Sequence, residues 1–195
     1  LRMSRIANAV SQLHGLVANK MWEWVDGKCP ITAITNAVNL HYWQDSRIRD
    51  AKSYDDLLKA KIEMKKELFK YISSQTGKMF DPNVLTITWA RRFADYKRAW
   101  LILMDKERIA KLLDENKVQI IFAGKAHPAD KEGQDLIKYI HEVSLMPQFK
   151  GKIFILENYN IGISRYLISG VDVWLNNPRR PMEASGTSGE KASVN

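Results

Sequence analysis

The hydrophobic positions of this chain change their period near residue 80. Over residues 4–24, Ile6, Val10, Leu13, Val17 and Met21 recur at spacings of three and four, which predicts one amphipathic helix. Residues 25–54 have irregular polarity, a proline at position 30 and three aromatic residues, Tyr42, Trp43 and Tyr54. They read as loops with short helical pieces. Residues 55–73 set Leu58, Ile62, Leu68, Phe69 and Ile72 among lysines and acids, the pattern of a helix with one buried face. Gly77 ends it, and Asp81-Pro82 marks the following turn.

Beyond that turn, short runs rich in β-branched residues alternate with helical stripes. Strands are predicted at 84–90, 118–126, 152–158 and 171–177, and helices at 96–116, 129–146 and 161–170, with a further helix beginning near Thr187. Near-continuous apolar strands separated by helices imply an α/β fold: a doubly wound parallel sheet covered on both faces. The chain divides accordingly into a mostly helical segment, 1–80, and a sheet domain, 81–195.

Composition narrows the classes of function only a little. Hydrophobic residues make up 45% and charged residues 27%, as in ordinary globular proteins. The formal charge of +8 points toward anions, yet the basic residues are scattered among acids on helix faces and form no basic stripe with stacking aromatics. A nucleic-acid partner is therefore not expected. One cysteine, Cys29, excludes an internal disulfide and fits a reducing cytoplasm. No apolar run has the length of a membrane span, no signal peptide opens the chain, and no metal site is expected. Both ends fall inside predicted elements, as in a piece of a longer enzyme.

The chemistry gathers at the strand ends. In parallel sheets ligands sit outside the carboxyl ends of the strands. Arg91, Arg92 and Lys97 follow the first strand, Gly124 and Lys125 the second, Glu157, Asn158 and Tyr159 the third, and the loop from Asn176 to Lys191 the fourth. The last stretch, RRPMEASGTSGEKASVN, interleaves small residues that allow close approach of the backbone to an anion. Lys191 beside it can pair with a phosphate or, when deprotonated, attack an aldehyde. Composition alone also fits a flexible terminus, but cations beside helix N-termini are unfavourable unless an anion lies between them. An oxyanion site is the reading that accommodates both features.

The runs ARRFADYKR, AGKAHP, FILENYN and above all EASGTSGEK resemble the α-glucan phosphorylases, with DVWLNNPRRPMEASGTSG nearest the short microbial branch, and the likeness extends over nearly the whole chain. The resemblance implies the C-terminal, Rossmann-like lobe of a two-lobed (GT-B) glycosyltransferase, preceded by the end of the N-terminal lobe. It implies phosphorolysis of α-1,4-glucan by inorganic phosphate to glucose 1-phosphate, with pyridoxal 5'-phosphate as cofactor, in a cytoplasmic and commonly dimeric enzyme. By this resemblance Lys191 holds the cofactor as a Schiff base. Thr187, Ser188 and Arg91 cradle its phosphate, and Trp43 and Tyr159 enclose it. Arg92 and Lys97 position substrate phosphate, with Lys125 as a possible addition. Glu183, Ser185, Gly186, Tyr96 and Asn36 contact the glucosyl unit, and His14 borders the same pocket. Glu190 departs from the family, which usually has Met before the lysine. Two other readings stay open on the sequence: a non-catalytic carbohydrate-binding or assembly module of this fold, and a sugar-nucleotide glycosyltransferase without pyridoxal phosphate.

Overall fold

The computed structural model describes residues 1–115 and 117–195. Its centre is a four-stranded, all-parallel sheet of β3 (Leu85–Ala90), β4 (Val118–Ala123), β5 (Ile153–Leu156) and β6 (Val173–Trp174), in the spatial order β5-β4-β3-β6. Leu85 pairs with Val118 and Ala90 with Ala123, so β3 and β4 run in register over their full length. Ile120 to Ala123 pair with Ile153 to Leu156 on the far side. All six residues of β4 are buried, because β4 is central and covered on both faces.

Alternation along the strands divides two cores. Ile120 and Phe122 of β4 and Trp89 of β3 face a cluster completed by α5 (Lys106–Asp114) and α6 (Lys131–Leu145), through Ile109, Leu113, Ile140 and Val143. Ile121, Ala123 and Ala90 face the opposite cluster, completed by α4 (Tyr54–Thr76) and α7 (Ile161–Gly170) through Leu68, Phe69, Ile72, Ile163 and Leu167. Helices thus cover both faces, as the strand pattern predicts. α4, which the sequence division leaves on the 1–80 side, supplies one of the covering layers. Ser53 caps its start, accepting the Asp56 N–H, and Gly77 ends it in the left-handed conformation at φ 67°. α4 and α7 touch at Gly170, where an added Cβ would lie 2.6 Å from Leu68 Cβ.

Two predicted helices are corrected. Over residues 4–24 the chain first forms a strand, β1 (Ala7–Ala9), paired in parallel with β2 (Ile31–Ala33), a strand absent from the sequence reading of 25–54. Only then does α1 (Gln12–Met21) begin, capped by the Ser11 side chain. The spacing-three stripe is misleading here: Ile6 and Met21 are exposed, and α1 packs through Gly15 and Ala18, with Gly15 against Ala33. Small residues that permit close packing carry little hydrophobic signal. The short helices α2 (Leu40–Trp43) and α3 (Ser46–Arg49) follow, as expected for that region.

The helix expected over 96–116 is also broken. Short 3-10 turns span Asp95–Lys97 and Ala99–Leu103, separated by Arg98 at φ 52°, and α5 starts afresh behind the Asp105 cap. The cause lies across the sheet edge, where Arg98 is recruited by another loop. Arg98 Nε donates to the Asn177 carbonyl at 2.7 Å, while its own carbonyl accepts from Asn177 Nδ2 at 3.1 Å. Asn116, the predicted end of that helix, lies outside the described residues. The fourth strand is shorter than its predicted 171–177. The chain closes with α8 (Thr187–Ser193). No helix among the described residues is long and apolar enough to cross a membrane.

Candidate active site

The site is built from the end of β3 outward. Arg91 follows β3 directly. Its N–H donates to the Ala123 carbonyl at 3.0 Å and the Phe93 N–H donates to the Lys125 carbonyl at 3.0 Å, so the β3–β4 pairing continues past both strands. Between these bonds sits Gly124 at φ 149°, where a Cβ would fall 1.9 Å from the Arg91 carbonyl oxygen. Only glycine lets the two chains approach this closely, and the approach fixes the backbone from which Arg91 springs.

The next loop is fastened to the loop after β6. Besides the Arg98–Asn177 pair, the Arg179 N–H donates to the Tyr96 carbonyl at 2.7 Å, and the Arg179 guanidinium lies 3.3 Å from Asp95. These bonds carry Lys97 to Glu183. Glu183 Oε1 accepts from Arg91 Nη2 at 2.9 Å and from Lys97 Nζ at 3.2 Å, while Oε2 lies 3.1 Å from the same ammonium. The three side chains retain only 4%, 11% and 17% exposure for Arg91, Lys97 and Glu183, so this is a largely desolvated triad with two cations on one carboxylate. Arg91 Nη1 is buried without a hydrogen-bond partner. Buried donors are rarely left so, and the orphan marks where an acceptor fits.

Arg91, Arg92, Lys97, Tyr159, Glu183, Ser185 and the Gly186–Ser188 turn line one cavity of about 260 Å³. Its floor is the end of β3, between β4 and β6, where successive connections leave the sheet in opposite directions. Arg92 is exposed on the rim. At Gly186 an added Cβ would stand 3.7 Å from Arg91 Nη2 and 3.9 Å from Glu183 Oε1, filling part of the space that an anion would use. Tyr159 is half-buried, and burial pushes its phenol up, against the opposing effect of a hydrogen bond with Ser164.

The other sequence-predicted residues do not line this cavity. Lys191 lies on α8 with Nζ 4.1 Å from the centre of the Trp43 ring, a cation–π contact. Asn195 ties these two residues: its Nδ2 donates to the Trp43 and Lys191 carbonyls at 2.8 and 2.9 Å, and its Oδ1 accepts the Asp45 N–H at 2.8 Å. Trp43 borders a separate cavity of about 320 Å³ with Asp45, Glu67, Arg165 and Tyr166. The Tyr96 ring lies beneath Lys97 Nζ, 5.3 Å from its centre. Lys125 is exposed and enters the edge through its carbonyl. His14 Nδ1 accepts the Val10 N–H at 3.1 Å, and Ser11, which caps the same helix, donates to the Ala184 carbonyl at 2.5 Å. α1 is thereby brought against the glycine-rich loop. Asn36 donates its N–H to the Val10 carbonyl at 3.0 Å, beyond the end of β2.

Arg98, Asn177, Ser11 and Asn195 assemble the site, yet the sequence reading did not single them out. Arg98, Asn177 and Asn195 lie in or at the end of quoted runs, but the contacts that matter, Arg98 with Asn177, Asn195 with Trp43 and Ser11 with Ala184, span 79 to 173 residues of sequence, which no local pattern reveals.

Fold and cavity together define an α/β protein with a cation-lined pocket at the carboxyl edge of a parallel sheet. The family model described as carbohydrate phosphorylase matches residues 16–195, and the chain belongs to that family. Among similar proteins, a maltodextrin phosphorylase of Thermococcus litoralis is 42% identical over 238 residues, covering 100% of this chain and 29% of that protein. A glycogen phosphorylase of Aquifex aeolicus is 37% identical over 240 residues, covering 100% of this chain and 35% of the relative. An uncharacterized protein of Methanocaldococcus jannaschii is 46% identical over 198 residues, with 100% and 38% covered. The chain therefore spans between 29% and 38% of the length of these relatives.

Proposed function

We propose that this chain provides the phosphate- and cofactor-holding part of an α-glucan phosphorylase, which cleaves α-1,4-glucan with inorganic phosphate to release glucose 1-phosphate. The observation that carries the reading is the single cavity formed by Arg91, Arg92 and Lys97 from one loop and by Glu183 and Ser185 to Ser188 from another. The names of the relatives, maltodextrin and glycogen phosphorylase, point to the same class of substrate. The strand order β5-β4-β3-β6 supports a Rossmann-like lobe of a two-lobed enzyme, with its ligand at the point where the strand order reverses.

The residues present fit pyridoxal phosphate. The orphaned Arg91 Nη1 and the bare Gly186–Ser188 turn suit a phosphate, and Lys191 beside the Trp43 face suits a tethered aromatic ring, with Tyr159 at the cavity wall. In this reading Lys191, Thr187, Ser188, Arg91, Tyr159 and Trp43 hold the cofactor. When bound, pyridoxal phosphate supplies a phosphate group that exchanges a proton with the substrate phosphate.

The chain's own residues then have distinct tasks. Arg92 and Lys97 hold the substrate phosphate against the glucosyl carbon, while Arg91 remains toward the cofactor side. Glu183, Ser185, Gly186, Tyr96 and Asn36 orient the sugar, with His14 at the border and Lys125 adding positive potential. The glycosidic C–O bond breaks as its oxygen takes a proton from the substrate phosphate, and a phosphate oxygen then bonds the same carbon. Two phosphate groups held in one partly dry site would repel each other by several kcal/mol. Fixed cations offset this repulsion, and Arg91, Arg92 and Lys97 are positioned to do so.

The test uses the cofactor-loaded protein that carries these residues. Lys97→Ala should lower kcat/KM for phosphate by about 100-fold, the scale of a lost electrostatic contact in a dry site, while cofactor absorbance is retained. Borohydride reduction and peptide mapping should place the cofactor on Lys191. A label on another lysine, or equal loss of cofactor and phosphate use in Lys97→Ala, would count against the assignment.

A further inference from the structure

Glu183 occupies an unexpected place for a residue assigned to sugar hydroxyls. Its carboxylate is engaged by Lys97, assigned above to the substrate phosphate, and by Arg91, assigned to the cofactor phosphate. All three side chains are mostly withdrawn from water, so the pairing is poorly screened. A carboxylate held there acts on a phosphate in two ways: it takes up the donors, and it presents a like charge. Arg92 stands apart, exposed on the rim, with no ion pair among the described residues.

We propose that Glu183 makes phosphate binding at this rim conditional on the sugar. With no sugar bound, its carboxylate holds Lys97 and Arg91. When the hydroxyls of a glucosyl unit donate to that carboxylate, they replace the Lys97 ammonium as its partner and free it to join Arg92 on the incoming phosphate, while Arg91 stays with the cofactor phosphate. The inference rests on the phosphorylase reading and adds an order to it: the polyhydroxyl ligand prepares the oxyanion half of the site. Linkage requires reciprocity, so phosphate tightens sugar binding by the same factor. A useful consequence is that the rim does not fill with free phosphate or other small oxyanions before the glucan is in place.

The geometry allows such an exchange because Glu183 sits in the loop between β6 and α8, ahead of the Gly186 turn, and Oε2 has no aligned hydrogen bond even though Lys97 Nζ is 3.1 Å away. Oε1 accepts from both cations, while the buried Oε2 keeps an unused acceptor site that a hydroxyl can satisfy once the loop shifts to admit it.

The experiment measures binding of inorganic phosphate by calorimetry to the cofactor-loaded protein, with and without saturating glucose as the hydroxyl donor. Glucose should tighten phosphate binding by about tenfold, within the usual range for coupled sites. In Glu183→Gln, phosphate should bind without glucose about tenfold more tightly than in the unaltered protein, and added glucose should change nothing further. The first measurement needs no variant, so it decides the matter even where Glu183→Gln folds poorly. Phosphate affinity independent of glucose in the unaltered protein overturns the inference and leaves the phosphorylase reading standing. Failure of phosphate to bind in either state, with Arg92→Ala indistinguishable from the parent, overturns both.

Discussion

The sheet layer and the first fifty residues are built on opposite terms. Around β3, β4 and β5 two apolar clusters close the sheet on both faces, and Trp89, Phe93, Leu103, Ile120, Phe122 and Leu167 reach full or nearly full burial. Among the described residues 1–50, only Ala9, Gly15, Ala18 and Cys29 are buried, while Met3, Ile6, Leu16, Trp24, Ile34 and Leu40 are exposed. The sheet layer is stabilised by its own apolar burial. The leading segment is fastened to it by polar contacts: Ser11 to Ala184, Asn195 to Trp43 and Asp45, and Arg47 to Glu67. The cation-lined rim is thus carried on a well-buried layer, and the residues proposed to enclose its ligands come from a segment held more lightly. Its large exposed apolar side chains form the kind of surface that more protein covers.

If that contrast is right, the heaviest damage comes from the heart of the sheet edge. Gly124→Ala puts a methyl group where the Arg91 carbonyl already stands, in a backbone conformation that side chains avoid. The expected loss is about 3–5 kcal/mol in chemical denaturation, with Arg91 displaced and phosphate binding lost alongside. A loss under about 1 kcal/mol would show that the edge yields, and that it is not a rigid platform.

A smaller loss is expected at the junction of sheet and helix. Asp172 Oδ2 accepts from Lys65 Nζ at 2.5 Å and from the Thr86 N–H at 2.7 Å, and Lys65 retains 8% side-chain exposure. Asp172→Ala leaves a buried ammonium and a buried amide without this acceptor, which costs about 3 kcal/mol. Lys65→Met removes the charge itself and should cost less. Urea unfolding of both and of the double variant separates a penalty for unpaired charge from a loss of packing: the double variant should cost less than Asp172→Ala alone, whereas packing losses would add.

The same contrast explains how much could be read from the chain. The strands of the sheet follow from apolar runs such as VQIIFA, and α4, α6 and α7 from their stripes and caps, because burial on two faces imposes the pattern on the sequence. The gathering of Arg91, Arg92 and Lys97 with the glycine-rich loop was legible too, since position after a parallel strand predicts the edge. What was not legible lies in long-range polar contacts and small residues. β1 and β2 have three residues each and pack through Ala9, Gly15 and Ala33, so hydrophobic periodicity had little to register. The break at Arg98 depends on Asn177, which local propensity cannot sense. The pairing of Glu183 with two cations was invisible for a further reason: the sequence places all three at one edge, but only coordinates say which partner each has chosen.

The smallest effect is expected where the leading segment docks on α4. Arg47 forks between two carboxylates, with Nε 2.9 Å from Asp45 Oδ1 and Nη1 2.7 Å from Glu67 Oε1. Hydrogen bonding to Arg47 holds the Asp45 carboxyl below its ordinary value of 3.8, against the opposing effect of burial, and holds Glu67 below 4.5 in the same way. Both groups therefore bind protons less readily in the folded chain than in the unfolded one. Their pairing contributes stability above those ordinary values, and the contribution is lost as pH falls through the lowered folded ones. Glu67 is half exposed and solvent screens its pairing, so Arg47→Ala should cost only about 0.5–1 kcal/mol at neutral pH. The difference from the unaltered protein should shrink as pH falls below those ordinary values and through the lowered folded ones, read from urea unfolding at a series of pH values. A deficit that persists unchanged into acid would mean that the stem of Arg47 contributes by packing, and that apolar contact holds the leading segment to the sheet layer more than its exposed surface indicates.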